Sequence, residues 1–336
     1  MLKAVRLNAK TYPVNPEERA ELSRAGAELV CIEGKAGDEM IDAACDCDAL
    51  LVVSSKVRAP VIRNLTRCRT IARLGSGTDN IDVDAATECG IVVSNVPDFC
   101  VNELAEHTMA LLLACGRRLL YMTGEMRRGN WMARNHPSVH RIAGRTLGLI
   151  GFGRSGKAVA SRARAFDMRI LAWVRYADKY RSDALKYGVQ LVGLDDLLSE
   201  SDFVSIHVPL NGQTRHMITA DSFLRMKKEA VLINTARGAI VDEEALLEAL
   251  KSGCIAGAGL DVFEGIDVFG LPGRPVSHPL LKLDNVILTP HCSGSSVEAA
   301  TASTTRGARN AADVLLGKWP AHIVNPEVKP PFELEK

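Results

Sequence analysis

The chain predicts an α/β protein built from two Rossmann-like, doubly wound parallel-sheet domains with an interdomain cleft. Three observations point there. Its 336 residues exceed what a single hydrophobic core usually supports. Short apolar runs alternate with helical patterns almost throughout, as parallel strands joined by crossover helices require. One run, Thr146-Leu-Gly-Leu-Ile150, leads straight into Gly151-x-Gly153-x-x-Gly156 and a helix-forming stretch over 157–166.

Taken in order, residues 4–7, 28–32, 50–53, 71–73 and 91–93 read as the strands of a first domain. Asn15-Pro16-Glu17 and Ala59-Pro60 open helices between them, since proline fits the first helical turn. Residues 102–128 contain no Pro, and Gly116 and Gly124 alone weaken them, so one extended helix is expected to cross to a second unit. Strands there are expected at 147–150, 169–174, 203–207, 231–234, 257–260 and 286–288. A helix over 296–316 then precedes a tail holding Pro320, Pro326, Pro330 and Pro331. If that helix returns to the first domain, the chain divides into 1–101 plus 293–336, discontinuous in sequence, and 102–292, which carries the glycine turn.

Composition narrows the class. The residues are 47% hydrophobic and 24% charged with a formal net charge of +1, which suits a soluble protein and gives no reason to expect a nucleic-acid or acidic-membrane partner. The apolar stretch at 109–115 is too short to span a bilayer, and no basic start followed by an apolar run marks a signal peptide, so a cytoplasmic location is expected. Nine scattered cysteines fit reduced thiols, and Cys45-Asp-Cys47, the one close pair, lacks the companions of a tetrahedral site. No metal site is expected.

The glycine turn has a specific chemistry. Gly151 permits the tight turn, Gly153 removes a side chain that would meet a pyrophosphate, and Gly156 lets helix and strand pack closely. The helix start, with Arg154 and Ser155, offers N–H groups and the positive dipole end to phosphates. Four further segments fall at predicted strand ends, where open α/β sheets bind ligands. The paired glycines of Leu74-Gly-Ser-Gly-Thr-Asp-Asn80 can present N–H groups to a carboxylate. Arg237 in Asn234-Thr-Ala-Arg-Gly238 can grip a carboxylate at two points. Gly257-Ala-Gly-Leu-Asp261-Val-Phe-Glu264 is the third, and Leu288-Thr-Pro-His291-Cys-Ser-Gly294 places a histidine where it can exchange a proton with a hydroxyl. The loop with Trp131, His136, His140 and Arg141 reads as a surface connection that could instead lean over a cleft.

Together these segments resemble the D-isomer-specific 2-hydroxyacid dehydrogenase family over essentially the whole chain. Gly75-Ser-Gly-Thr-Asp-Asn-Ile-Asp82, Leu104-Ala-Glu-His107, the glycine turn, His207-Val-Pro-Leu210, Asn234 to Gly238 with Val241-Asp-Glu243, Gly259-Leu-Asp-Val-Phe263 and Thr289-Pro-His291 carry the likeness. Val96-Pro-Asp-Phe-Cys-Val-Asn-Glu103 is similar to the subgroup of phosphoglycerate dehydrogenases and C-terminal-binding-protein-like members. The resemblance implies hydride transfer between a nicotinamide and a small 2-keto or 2-hydroxy acid, of the glyoxylate, hydroxypyruvate or sugar-acid type. Arg237 would hold the carboxylate and His291 would serve as acid and base. Residues 1–101 plus 293–336 would form the substrate domain, with Ser54, Ser76 and Gly77 at the substrate. Gly151, Gly153, Arg154, Ser155, Gly156, Arg175, Val208, Pro209, Thr235, Ala236, Asp261 and Gly294 would line the cofactor. The family is generally dimeric around its cofactor domains.

Two departures matter. The family's acidic partner for the histidine falls here on Ile266, flanked by Glu264 and Asp267; Glu264 is expected to take the role, with Asp267 as the alternative. The second concerns the residue that bonds the ribose 2′-hydroxyl of NAD, an acid at the end of the second strand. Val174 and Arg175 stand there, which favours NADP(H) over NAD(H), with Asp178 the acid that would serve NAD instead. Other readings of the same residues are a nucleotide-sensing, corepressor-like scaffold and a phosphoglycerate dehydrogenase; formate oxidation fits poorly.

Overall fold

Both sheets of the computed structural model, which describes residues 1–33, 37–135, 139–266 and 277–335, are parallel. The described residues fall into two compact units, 1–100 with 296–335 and 101–266 with 277–295. In the first unit β1 (Leu2–Leu7), β2 (Ala27–Ile32), β3 (Ala49–Val52), β4 (Thr70–Arg73) and β5 (Val92–Ser94) lie in the order β2-β1-β3-β4-β5. The helix Pro16–Arg24 starts as its sequence dictates: Pro16 sits in the first turn and the Asn15 side chain accepts from the Glu18 N–H at 2.6 Å. The tail helix Val297–Leu315, capped by Ser296, belongs to this unit. Its Ala308, Ala311 and Ala312 pack with Ala4, Ala49, Leu51 and Ala72. These small residues bring helix and sheet close; a Cβ on Gly307 would lie 2.1 Å from Leu74 Cδ2.

The second sheet holds β6 (Thr146–Ile150), β7 (Arg169–Trp173), β8 (Gln190–Leu191), β9 (Phe203–Ile206), β10 (Val231–Asn234), β11 (Gly257–Leu260) and β12 (Val286–Leu288). Their order is β12-β11-β10-β9-β6-β7-β8. Chain order therefore reverses between β6 and β9, which pair from Leu147↔Phe203 to Ile150↔Ile206. A crevice forms at such a reversal, beyond the carboxyl ends of the strands. Leu149, Ile150, Val204, Ile206, Leu232 and Ile233 are fully buried. Strands covered on both faces read as continuous apolar runs, which is why they were visible in the sequence.

One expectation needs correction. The helix expected over 102–128 is two helices, Val101–Gly116 and Leu119–Arg127, broken where Arg118 adopts φ +51°. Gly116 marks the break: a Cβ there would lie 2.8 Å from Ile142 Cδ1 and 2.9 Å from Phe203 Cζ. Glycine thus lets the helix end lie close against the start of β9, just before the turn at Arg118. The two-residue edge strand β8 was not anticipated, because it is too short to show a period. No helix of the described residues is long and apolar enough to cross a membrane.

Candidate active site

The glycine turn at the end of β6 separates three physical demands. Gly151 has φ +103°, a conformation that side chains disfavour, and its N–H donates to the Trp173 carbonyl at 2.9 Å. A Cβ on Gly156 would stand 2.4 Å from the Gly151 carbonyl oxygen, so this glycine permits the close passage of helix over turn. Gly153 differs: a Cβ there meets no protein atom within 4 Å. Packing does not ask for glycine at 153, whereas the approach of a pyrophosphate does. Gly153 is also the N-cap of the helix Arg154–Arg164 and makes no side-chain cap bond. The first-turn N–H groups of Arg154 and Ser155 are therefore suited to an anion. These residues fit a dinucleotide.

Across the reversal, β9 runs into His207-Val-Pro209. The His207 N–H donates to the Ile150 carbonyl at 2.7 Å, tying β9 to the strand that opens the turn. Its ring nitrogen Nε2 bonds Ser205 Oγ at 2.9 Å. Part of the residue meets solvent, but the ring is crowded by protein, and this desolvation lowers its pKa to about 4. Val208 stands over the turn, since a Cβ on Gly151 would be 2.9 Å from Val208 Cγ1.

The strand ends of β10, β11 and β12 are laced together. Asn234, almost fully buried, accepts from the Ala236 N–H at 3.0 Å and donates to the Arg237 carbonyl at 2.9 Å, shaping the turn that presents Arg237. Arg237 is extended and donates from Nη1 to the Ala236 carbonyl at 2.7 Å. Thr235 is buried and its hydroxyl meets that of Thr108 at 3.0 Å. A Cβ on Gly238 would overlap the Phe263 carbonyl carbon at 2.4 Å, so the Arg237 turn lies directly against 263–264. The Asp261 N–H donates to the Asn234 carbonyl at 2.9 Å, and the His291 N–H to the Asp261 carbonyl at 3.0 Å. Arg237 and His291 thus stand at the carboxyl edge of one sheet with β11 between them.

Asp261 holds the histidine loop by its side chain. Oδ1 accepts from Thr289 Oγ1 at 2.6 Å and from the Cys292 N–H at 2.9 Å, and Oδ2 from the Ser293 N–H at 2.8 Å. Burial resists the charge on this carboxylate, but bonds from Thr289, Ser293 and Cys292 outweigh it and hold the pKa below the usual range. The loop it grips keeps His291 at φ +53°. Such a conformation in a non-glycine residue persists only where the surroundings enforce it. His107, on the helix Val101–Gly116, bonds Thr289 Oγ1 through Nε2 at 2.9 Å. His107 and Thr289 were visible in the sequence only as parts of matched segments, with no role attached. Gly294 follows Ser293 in the same loop.

The acids are distributed differently from a simple pairing. Glu264 places Oε2 3.0 Å from His216 Nε2 and Oε1 3.3 Å from Arg215 Nη2. Asp267, the alternative, and His136 lie outside the described residues. Glu243, noted only within a matched segment, accepts from the Glu264 N–H at 2.6 Å and bonds His278 Nε2 at 2.8 Å. It joins the chain on either side of 267–276. At the end of β7, Arg175 is exposed with its guanidinium carbon 5.5 Å from the Tyr176 ring centre, and Lys179 Nζ lies 5.3 Å from the same ring. Asp178 is bonded by Arg181 Nε at 2.8 Å.

Ser54, Ser76 and Gly77 belong to the other unit. Ser54 is buried at the end of β3. Arg73 gathers the loop after β4, donating to the Gly77 carbonyl at 2.9 Å and the Leu74 carbonyl at 2.8 Å, while Asn95 donates to the Ser76 carbonyl at 2.7 Å.

The family model for the D-isomer specific 2-hydroxyacid dehydrogenase NAD binding domain matches residues 109–293. A glyoxylate reductase of Korarchaeum cryptofilum is 42% identical over 295 residues, 86% of each chain. The NADPH-dependent glyoxylate/hydroxypyruvate reductase of Sinorhizobium meliloti, solved with citrate, is 30% identical and superposes with a TM-score of 0.79 over 100% of both chains. D-lactate dehydrogenase with NAD+ from Lactobacillus jensenii is 28% identical with a TM-score of 0.77, covering 96% of this chain and 99% of that one.

Proposed function

Because the chain belongs to the D-isomer-specific 2-hydroxyacid dehydrogenase family, we propose that it reduces a short 2-keto acid of the glyoxylate or hydroxypyruvate type, with NADP(H) preferred over NAD(H). The observation that carries the reading is the shared carboxyl edge: the glycine turn, Arg237 and His291 all sit at strand ends of one sheet, on either side of its order reversal. A bound nicotinamide supplies the hydride. Arg237 binds the substrate carboxylate and steadies the negative charge that grows on the carbonyl oxygen. His291, protonated, donates to that oxygen, an assistance typically worth about 10²–10⁴-fold. Asp261 acts through the backbone, fixing the loop from which His291 reaches out. Glu264, although its carboxylate also holds His216 and Arg215, or Asp267 supplies the acid that assists His291; the substitution, Glu264→Gln or Asp267→Asn, that lowers kcat identifies which.

The cofactor preference rests on the end of β7. Arg175 and Lys179 flank Tyr176, while the nearby acid Asp178 is bonded to Arg181. A 2′-phosphate would meet cations there, while the one nearby acid that could accept from a 2′-hydroxyl is already bonded by Arg181. The working form is a cytoplasmic homodimer built through the cofactor unit. Leu119, Leu120, Met126, Trp131 and Met132 are each about half exposed or more, an apolar concentration that a partner surface would cover.

The test is a panel of short 2-keto acids assayed with NADPH and NADH in parallel, using wild type and Arg175→Ala. Wild type should favour NADPH, and the variant should lose most of that preference. Equal or better use of NADH by wild type refutes the cofactor assignment. Binding of dinucleotide without turnover of any keto acid would favour the sensing scaffold instead.

A further inference from the structure

His107 on the helix Val101–Gly116, Asp261 after β11 and Cys292 after β12 come from three separate elements, yet one ligand atom of each lies within 4.8 Å of the others. We propose that these three side chains form a binding site for a thiophilic divalent cation of the Zn2+ class, and that filling it arrests the enzyme. Sequence spacing predicted no metal site, because the three residues are brought together only by the sheet.

An imidazole nitrogen, a carboxylate oxygen and a thiol sulfur are the donors that Zn2+ takes, and three protein ligands leave a fourth position for water. Mg2+ and Ca2+ select oxygen sets, so the thiol argues against them. His107 Nε2 and Asp261 Oδ1 are 3.7 Å apart, close to the separation of two ligands each about 2.1 Å from one tetrahedral ion. The surroundings already orient the donors. The N–H groups of Cys292 and Ser293 fix the Asp261 carboxylate, the kind of outer contact that supports metal ligands.

In the protein as it stands, the Thr289 hydroxyl bridges the pair: it donates to Asp261 Oδ1 and so accepts from His107 Nε2–H. On loading, the Cys292 thiol gives its proton to solvent, His107 carries its remaining proton on Nδ1, and the ion replaces the Thr289 bridge. No electrons are exchanged. Cys292 directly follows His291, whose N–H bonds the Asp261 carbonyl. A thiolate drawn onto the ion therefore moves or locks the loop that carries the histidine. The bland alternative is that the cluster is only a hydrogen-bond relay holding that loop.

Cobalt distinguishes the two. Co2+ titrated into the purified full chain should give a thiolate-to-metal charge-transfer band and tetrahedral d–d absorption, displaced by Zn2+. Cys292→Ser should lose the charge-transfer band and bind Zn2+ at least tenfold more weakly. His107→Gln should weaken binding while keeping the band, and Cys31→Ser with Cys89→Ser, exposed thiols elsewhere, should change nothing. Zn2+ should inhibit wild-type reduction of a keto acid and inhibit Cys292→Ser much less, each measured against its own metal-free rate. An undiminished cobalt band in Cys292→Ser, or wild type that binds no Co2+, overturns the site. The spectroscopic arm needs no substrate, so it stands or fails apart from the proposed reaction.

Discussion

Asp261→Asn isolates what positions the loop that carries His291. The wild-type carboxylate accepts three hydrogen bonds, from Thr289 Oγ1, the Cys292 N–H and the Ser293 N–H, while the residue is 1% exposed. An asparagine can keep its oxygen toward Thr289 and Cys292, but its NH2 then faces the Ser293 N–H, donor against donor. A buried donor left unpaired costs about 1–3 kcal/mol, and the two remaining bonds weaken from charge-assisted to neutral strength. We expect a loss of roughly 2–4 kcal/mol. At about 2–4 °C per kcal/mol for a unit of this size, a 2 kcal/mol loss lowers Tm by roughly 4–8 °C. The same change frees the segment that forces His291 to φ +53°, so kcat for a keto acid should fall at least about tenfold, or ~1.4 kcal/mol of barrier. Calorimetry and steady-state kinetics on the same preparation read both. A Tm within roughly 1 °C of wild type together with a kcat within about twofold would show that the carboxylate does not hold the loop. A pH consequence follows from the lowered pKa of Asp261. Its contribution is present above the unfolded carboxylate value and is lost as pH falls through the lower folded value.

Two further outcomes are specific. Gly153→Ala should leave thermal stability within about 0.5 kcal/mol, since its methyl meets open space, yet weaken dinucleotide binding tenfold or more by titration; Gly156→Ala, which drives a methyl to 2.4 Å from a carbonyl oxygen, should lower Tm as well, and equal behaviour of the two variants refutes the division of labour. The second concerns His207, whose pKa of about 4 lies below the unfolded value of about 6.5. The unfolded chain binds the extra proton between these values, so stability is full above about pH 6.5 and declines, by an amount on the order of 1–3 kcal/mol, as pH falls toward 4. Denaturant titrations of wild type and His207→Gln across that window should differ in slope; parallel curves would remove His207 as the cause.

Much of this architecture was legible because parallel strands buried on both faces are apolar without interruption. Val231–Asn234, Gly257–Leu260 and Val286–Leu288 match the runs read from the residues alone. Glycine and proline signals worked where a local constraint governs, as at Gly151 and Pro16. They failed where a distant contact does. Gly116 looked like a mild weakness inside one long helix, but it is the last residue of the first of two helices, where a side chain would collide with Phe203 and Ile142.

The site divides along the same line. Residue type and local order alone announced a nucleotide turn at Gly151 to Gly156 and singled out Arg237 and His291, because glycine geometry and side-chain chemistry are properties of short segments. Only the tertiary structure decided who meets whom. It gave Glu264 to His216 and Arg215, made Asp261 the clasp of the histidine loop, and set Cys292 beside His107. Those pairings depend on strand order and register in the sheet, and a linear pattern of residues does not encode which strand end lies next to which.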